Sequence, residues 1–129
     1  MDVIEVHTSG PIFDNGGAEF QRAMAAAAAE SEYVVGSQAL ANWHLYLNQS
    51  IKHPTPYYET QITVQNLMTE VIVHDRGIIY GPWLEGVSSR NQTTRFKGYH
   101  SLRKARQATV RQVVQLADPI YAKHLQAVS

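Results

Sequence analysis

Six histidines are the first residues to weigh for chemistry, because a neutral imidazole can ligate a metal or shuttle a proton near neutral pH. They stand at His7, His44, His53, His74, His100 and His124. None has a second ligand at the spacing a site needs. His44 shares a helical face with Asn48 but has no histidine four residues on, HExxH does not occur, and His74-Asp75 falls at an expected hairpin turn. The chain has no cysteine, which excludes a thiolate zinc site and a disulfide frame. GxSxG, a phosphate-cradling glycine loop before a helix, and a serine served by a nearby histidine and acid are all missing. The sequence therefore nominates no catalytic residue, no metal site and no cofactor. The triplet Asn91-Gln92-Thr93 matches a glycosylation acceptor, which has meaning only on a secretory route. MDVIEVHTSG carries two acids and no basic region ahead of an apolar run, and no stretch reaches the roughly 18 apolar residues of a membrane span. A soluble protein made in a cytoplasm, with no membrane partner, is expected.

Cations are the stronger signal. Arg103, Lys104, Arg106 and Arg111 crowd one segment, and charge is segregated along the whole chain. Residues 1–85 hold ten acids against three bases, a formal −7, while residues 86–129 hold eight bases against Asp118 alone, a formal +7. Three readings fit. The cations could form a solvated helix face, or bind nucleic-acid phosphates with release of counterions. The acidic part of one copy could instead meet the basic part of the next in a head-to-tail ring, which also accounts for overall neutrality. Against the nucleic-acid reading, aromatic residues for base stacking are absent among these cations, apart from Phe96 and Tyr99. Trp83, beside Pro82 in GPWLEG, reads as a core anchor or as an interface hot spot.

These residues need a scaffold, and 129 residues make a single domain, 1–129, large enough to fold without staples. DVIEVHT alternates Ile4, Val6 and Thr8 with Val3, Glu5 and His7, as a half-buried strand does. From Ala18, the apolar residues Phe20, Met24, Ala27, Val35, Ala39, Trp43, Leu47 and Ile51 recur at spacings of three, four and once eight, predicting a helix of about nine turns. KHPTP stops it. YYETQITVQ alternates and predicts a strand. TEVIVH, DRG and IIYG then predict a tight antiparallel hairpin. An extended polar loop at about 86–98 leads to a basic helix carrying Leu102, Ala105, Val110, Val113, Ala117, Ile120 and Leu125, with a kink or break at Pro119. The expected fold is α+β: a small antiparallel sheet, made of a three-stranded meander plus the N-terminal strand, covered on one face by the long N-terminal helix and the basic C-terminal helix. Residues 87–95 offer little apolar area to offset ordering, so they are expected to be mobile in a lone subunit and ordered by a neighbour.

YGPWLEGVSSRNQTTRFKGY at 80–99, preceded by TSGPIFDNG at 8–16 and HPTPYYETQI at 53–62, resembles the head-to-tail connector, or tail-completion, proteins of long-tailed bacteriophages, especially those of actinobacterial phages. The family pattern is an aromatic, then apolar-Glu-Gly and usually Thr; Tyr80, Leu84, Glu85 and Gly86 fit it, and Val87 stands where Thr is usual. The resemblance implies a non-enzymatic structural protein of the virion neck or tail, assembled in the host cytoplasm as a homo-oligomeric ring between portal and tail tube. The ring would be a hexamer or a dodecamer, bound to adjacent neck and tail proteins, with genomic DNA passing through it without sequence-specific binding. Stopper, tail-completion and terminator layers share such small α+β designs. The interface candidates are then Tyr80, Pro82, Trp83, Glu85, Arg90, Arg95, Phe96, Lys97, Tyr99, Arg103 and Arg106. The alternative is a small nucleic-acid-binding protein that uses the basic C-terminal helix.

Overall fold

The computed structural model describes residues 3–6, 17–50, 56–67 and 70–128. Helix α1, Ala18–Ser50, runs for 33 residues, so the expected nine turns are present. Its alanine-rich, proline-free sequence favours the helix throughout. Ser31 fills the eight-residue gap in the apolar stripe and is buried together with Ala27, Gly36, Trp43 and Leu47. Gly36 is where the sheet comes closest: a Cβ there would lie 2.7 Å from Val71 Cγ1. Residues 51–55, where the sequence places the helix stop, lie outside the described residues.

The sheet is smaller than expected. Strands β1, Thr63–Asn66, and β2, Val71–His74, pair antiparallel with Val64 opposite Val73, and they form the only sheet among the described residues. The first half of the expected strand at 57–65 is instead a helical turn, α2, Pro56–Gln61. Its period-two pattern was ambiguous, because Tyr58 and Ile62 are also four apart and both are buried, whereas Thr60 between them is exposed. Pro56 at the first helical position favours the helical choice.

The expected hairpin at 69–81, of which residue 69 lies outside the described residues, is half right. Arg76 and Gly77 both take positive φ, 60° and 70°, as a tight strand-reversing turn requires. IIYG does not return as a strand, since Gly81 N–H donates to the Ile78 carbonyl at 2.9 Å and turns the chain again. Ile78 packs on the core while Ile79 and the next residue, Tyr80, are both exposed, a consecutive pair that breaks strand alternation. The chain enters α3, Gly81–Glu85, where Pro82 occupies the first turn and so needs no amide partner. Residues 3–6 form no strand, and Val3, Ile4 and Val6 are exposed. His7 and Thr8 of the expected N-terminal strand lie outside the described residues.

After α4, Arg90–Thr93, helix α5 covers Ser101–Gln126 and continues through Pro119 without a break. It packs on α1 far more than on the sheet, because two four-residue strands offer too little surface for two long helices. The two helices run antiparallel. Asn42 Nδ2 donates to Thr109 Oγ1 and Gln112 Oε1, each at 2.9 Å, while Glu30, earlier on α1, meets Lys123 and His124, later on α5. Gln38 Nε2 donates to Asn42 Oδ1 at 3.0 Å, so this buried amide is well satisfied. Trp43, Leu47, Tyr58, Ile62 and Ala105 form the core.

Candidate subunit interface

The polar stretch at 86–98 is held by its own frame. Gly86 ends α3 in the left-handed region, φ 96°, and its N–H donates to the Pro82 carbonyl at 3.0 Å. Gly98, φ 95°, closes the other end of the loop: a Cβ on it would overlap the Gly86 backbone, and Tyr99 N–H donates to the Leu84 carbonyl at 2.7 Å. Two touching glycines therefore form the neck of a compact Ω-loop.

Asn91 sits inside that loop, 3% exposed. Its Nδ2 donates to the carbonyls of Trp83 and Phe96, both at 3.1 Å, and its Oδ1 accepts from Ser88 N–H at 3.0 Å. Lys97 Nζ donates to the carbonyls of Asn91 at 2.8 Å and Gln92 at 3.3 Å, setting a cation against the C-terminal end of α4. Outside this frame Phe96 bridges Trp83 and Tyr99, with ring centroids 4.9 Å apart in each pair, and the Arg90 guanidinium lies 5.9 Å from the Trp83 ring.

Glu85 joins the loop to α5. Its carboxylate accepts from Leu102 N–H at 2.8 Å and from Arg103 N–H at 3.1 Å, so an acid distant in sequence satisfies amides that the helix start leaves open. His100, in the left-handed region at φ 54°, provides no side-chain cap of its own.

Beside this junction lies an open, mainly apolar groove of about 550 Å³. Val35, Ala39 and Trp43 of α1 and Val73 of β2 form its less exposed floor. Val87, Leu102 and Val110 form an exposed wall, and Arg103 and Arg106 stand beside it. On α5, Leu102, Arg106, Val110 and Val113 are spaced four, four and three apart, so they make one stripe.

The eleven candidates thus fall into separate groups. Trp83, Arg90, Phe96, Lys97 and Tyr99 come together in the loop, while Glu85, Arg103 and Arg106 line the groove. Tyr80 lies elsewhere, stacked on Tyr58 at 5.8 Å, while Pro82 and Arg95 are exposed. Reasoning from the sequence missed Asn91, whose only visible signal was an amide in a polar run. It also missed the Tyr58 hydroxyl, which donates to Asp75 Oδ2 at 2.8 Å. Burial, and then that bond, push the Tyr58 hydroxyl well above its ordinary pKa. Three histidines have structural partners: His44 Nε2–H donates to the Glu59 carbonyl at 3.1 Å, His74 uses both ring nitrogens, on Gln65 and on the Arg76 amide, and His124 meets Glu30.

No family model matches the chain, and no characterised protein or solved structure matches it. Among the described residues no group of three histidine, aspartate or glutamate side chains could hold a metal, and no helix is long and apolar enough to cross a membrane.

Proposed function

We propose that this chain is a non-enzymatic structural subunit of a phage neck, forming a homo-oligomeric ring that joins the portal to the tail tube and helps tail completion or attachment. The observation that carries the reading is the uncovered groove: Val87 and Val110 are 74% and 65% exposed beside an apolar floor, on a chain whose cations and acids are segregated. Apolar contact supplies most of the affinity in such an assembly, since exposed ion pairs contribute only about 0 to 1 kcal/mol each. Charge sets register and orientation. The sequence resemblance over 8–16, 53–62 and 80–99 supports the same reading. It fits the Ω-loop as the support of the α5 start, with the contact surface lying along the groove rather than at the loop tip.

The test is assembly. Purified protein should form rings visible by size exclusion and negative stain, and a tagged chain should be incorporated at the virion neck. Arg103→Glu with Arg106→Glu should abolish both while leaving the monomer folded by circular dichroism. Persistent monomers that bind duplex DNA with steep salt dependence would instead establish the nucleic-acid reading of the α5 cations.

A further inference from the structure

The two-stranded sheet is unpaired along β1. Leu67 N–H donates to the Glu70 carbonyl at 2.8 Å, and with the register of the strands this gives the ladder bonds to the Thr63–His74 and Gln65–Ile72 pairs. The N–H and C=O groups of Val64 and Asn66 therefore point away from β2, and among the described residues they have no partner. Gln65, Asn66 and Leu67 are exposed, and β1 carries none of the charges, prolines or bulges that keep open edges apart. This edge lies away from the groove, which borders the sheet at Val73 of β2.

We infer that β1 pairs with β1 of a second copy across a two-fold axis through Gln65. Val64 of each copy then exchanges both main-chain bonds with Asn66 of the other, and Gln65 meets Gln65 at a position without ladder bonds. The strand suits its own copy. No like charges meet, and the Gln65 amide, whose Oε1 accepts from His74, keeps its own donors for the facing amide. The helix layer fits the same axis. Because α1 packs on both strands, it lies about one strand spacing, ~4.8 Å, from the two-fold. The two α1 helices then stand about 10 Å apart, a distance at which helices pack. Val35 faces the groove and Gly36 the sheet, so Ala26, Tyr33 and Ser37 fall on the opposite flank of α1, toward the second copy. Tyr33 there is 52% exposed.

This contact is isologous and does not rest on the ring reading, which uses the other side of the molecule. The chain has no cysteine, so a single introduced thiol reports unambiguously. Two-fold pairing brings the Cα atoms of residue 65 in the two copies to about 4.5 Å, within disulfide reach. Under mild oxidation Gln65→Cys should form disulfide dimers about tenfold faster than Ile72→Cys, the exposed position on the same sheet face of β2. Equal rates would overturn the inference, and faster linking at Ile72→Cys would also sink it by giving the pairing to the β2 edge. Asn66→Pro removes an outward N–H that the lone subunit does not use, so circular dichroism should be unchanged and the dimer Kd from sedimentation should rise about tenfold or more. An unchanged Kd in that variant would overturn the pairing. Arg103→Glu with Arg106→Glu should lose rings and keep the Gln65→Cys cross-link. Rings without the cross-link would leave the ring reading standing and end this one.

Discussion

The loop at 86–98 and the groove along α5 are neighbours with opposite chemistry. The loop is polar by composition yet closes on itself, with Asn91 buried and three backbone groups held by one side chain. The groove is apolar by composition yet stays open, with Leu102, Val110 and Val113 exposed on a helix whose buried residues are Ser101, Ala105 and Thr109. Burial here follows local geometry and hydrogen-bond satisfaction rather than side-chain polarity. A polar stretch whose groups are met internally can belong to the folded subunit. An apolar stripe left without a partner marks a surface for something else.

The sharpest way to break this comparison is at the loop neck. Gly98→Ala puts a Cβ into the Gly86 backbone at a positive φ, where an L side chain is strained even with space around it. Such a backbone clash should cost about 3 kcal/mol, read as a lower urea midpoint. A loss below about 0.5 kcal/mol, the range of ordinary surface changes, would show that the neck is not closed in solution. Next in size is Asn91→Ala, which strips the Trp83 and Phe96 carbonyls and the Ser88 amide of their partner and should cost about 2 kcal/mol. Val110→Ser supplies the contrast. It should change monomer stability by no more than about 0.5 kcal/mol, because the side chain is already in water, and weaken self-association measured by sedimentation.

What the sequence made legible follows the same division. The two long helices were visible because their patterns are local and repeated over many turns, and the Asp75-Arg76-Gly77 turn was visible because Gly77 takes positive φ without a steric penalty. The strand at 78–81 was misplaced because β-branched composition does not reveal the turn that Gly81 N–H closes onto the Ile78 carbonyl. Of the site, Trp83, Phe96 and Tyr99 were each readable as candidates, but neither their contact through Phe96 nor the role of Glu85 was. Its partners are backbone amides of residues 102 and 103, and amides carry no side-chain signature.

That cap gives a further test, smaller than the two at the loop. Glu85→Ala should cost about 1 kcal/mol, in the range for a lost helix N-terminal acceptor, and Glu85→Gln should recover part of it. Amide exchange sharpens the comparison, since only Leu102 and Arg103 should lose protection if Glu85 acts as a cap. Loss of protection spread through 87–98 would mean that Glu85 holds the loop rather than the helix.

The smallest effect is expected far from both regions, where α1 and α5 are clipped together. Glu30 accepts from Lys123 Nζ and His124 Nε2, both at 2.6 Å, and these bonds, Lys123 first, hold its carboxyl below the ordinary value of 4.5. A carboxylate whose folded pKa is depressed stabilises the fold above its unfolded pKa and loses that contribution as pH falls through the lower folded value. The clip should therefore be fully present at neutral pH and weaken on acidification below 4.5. Solvent reaches all three side chains, so the loss should be slight and diminished by salt. Urea midpoints for the native chain and Glu30→Gln should differ a little at about pH 6 and converge near pH 3. If Glu30→Gln keeps its full difference at the lower pH, the clip acts through packing and not through the carboxylate charge.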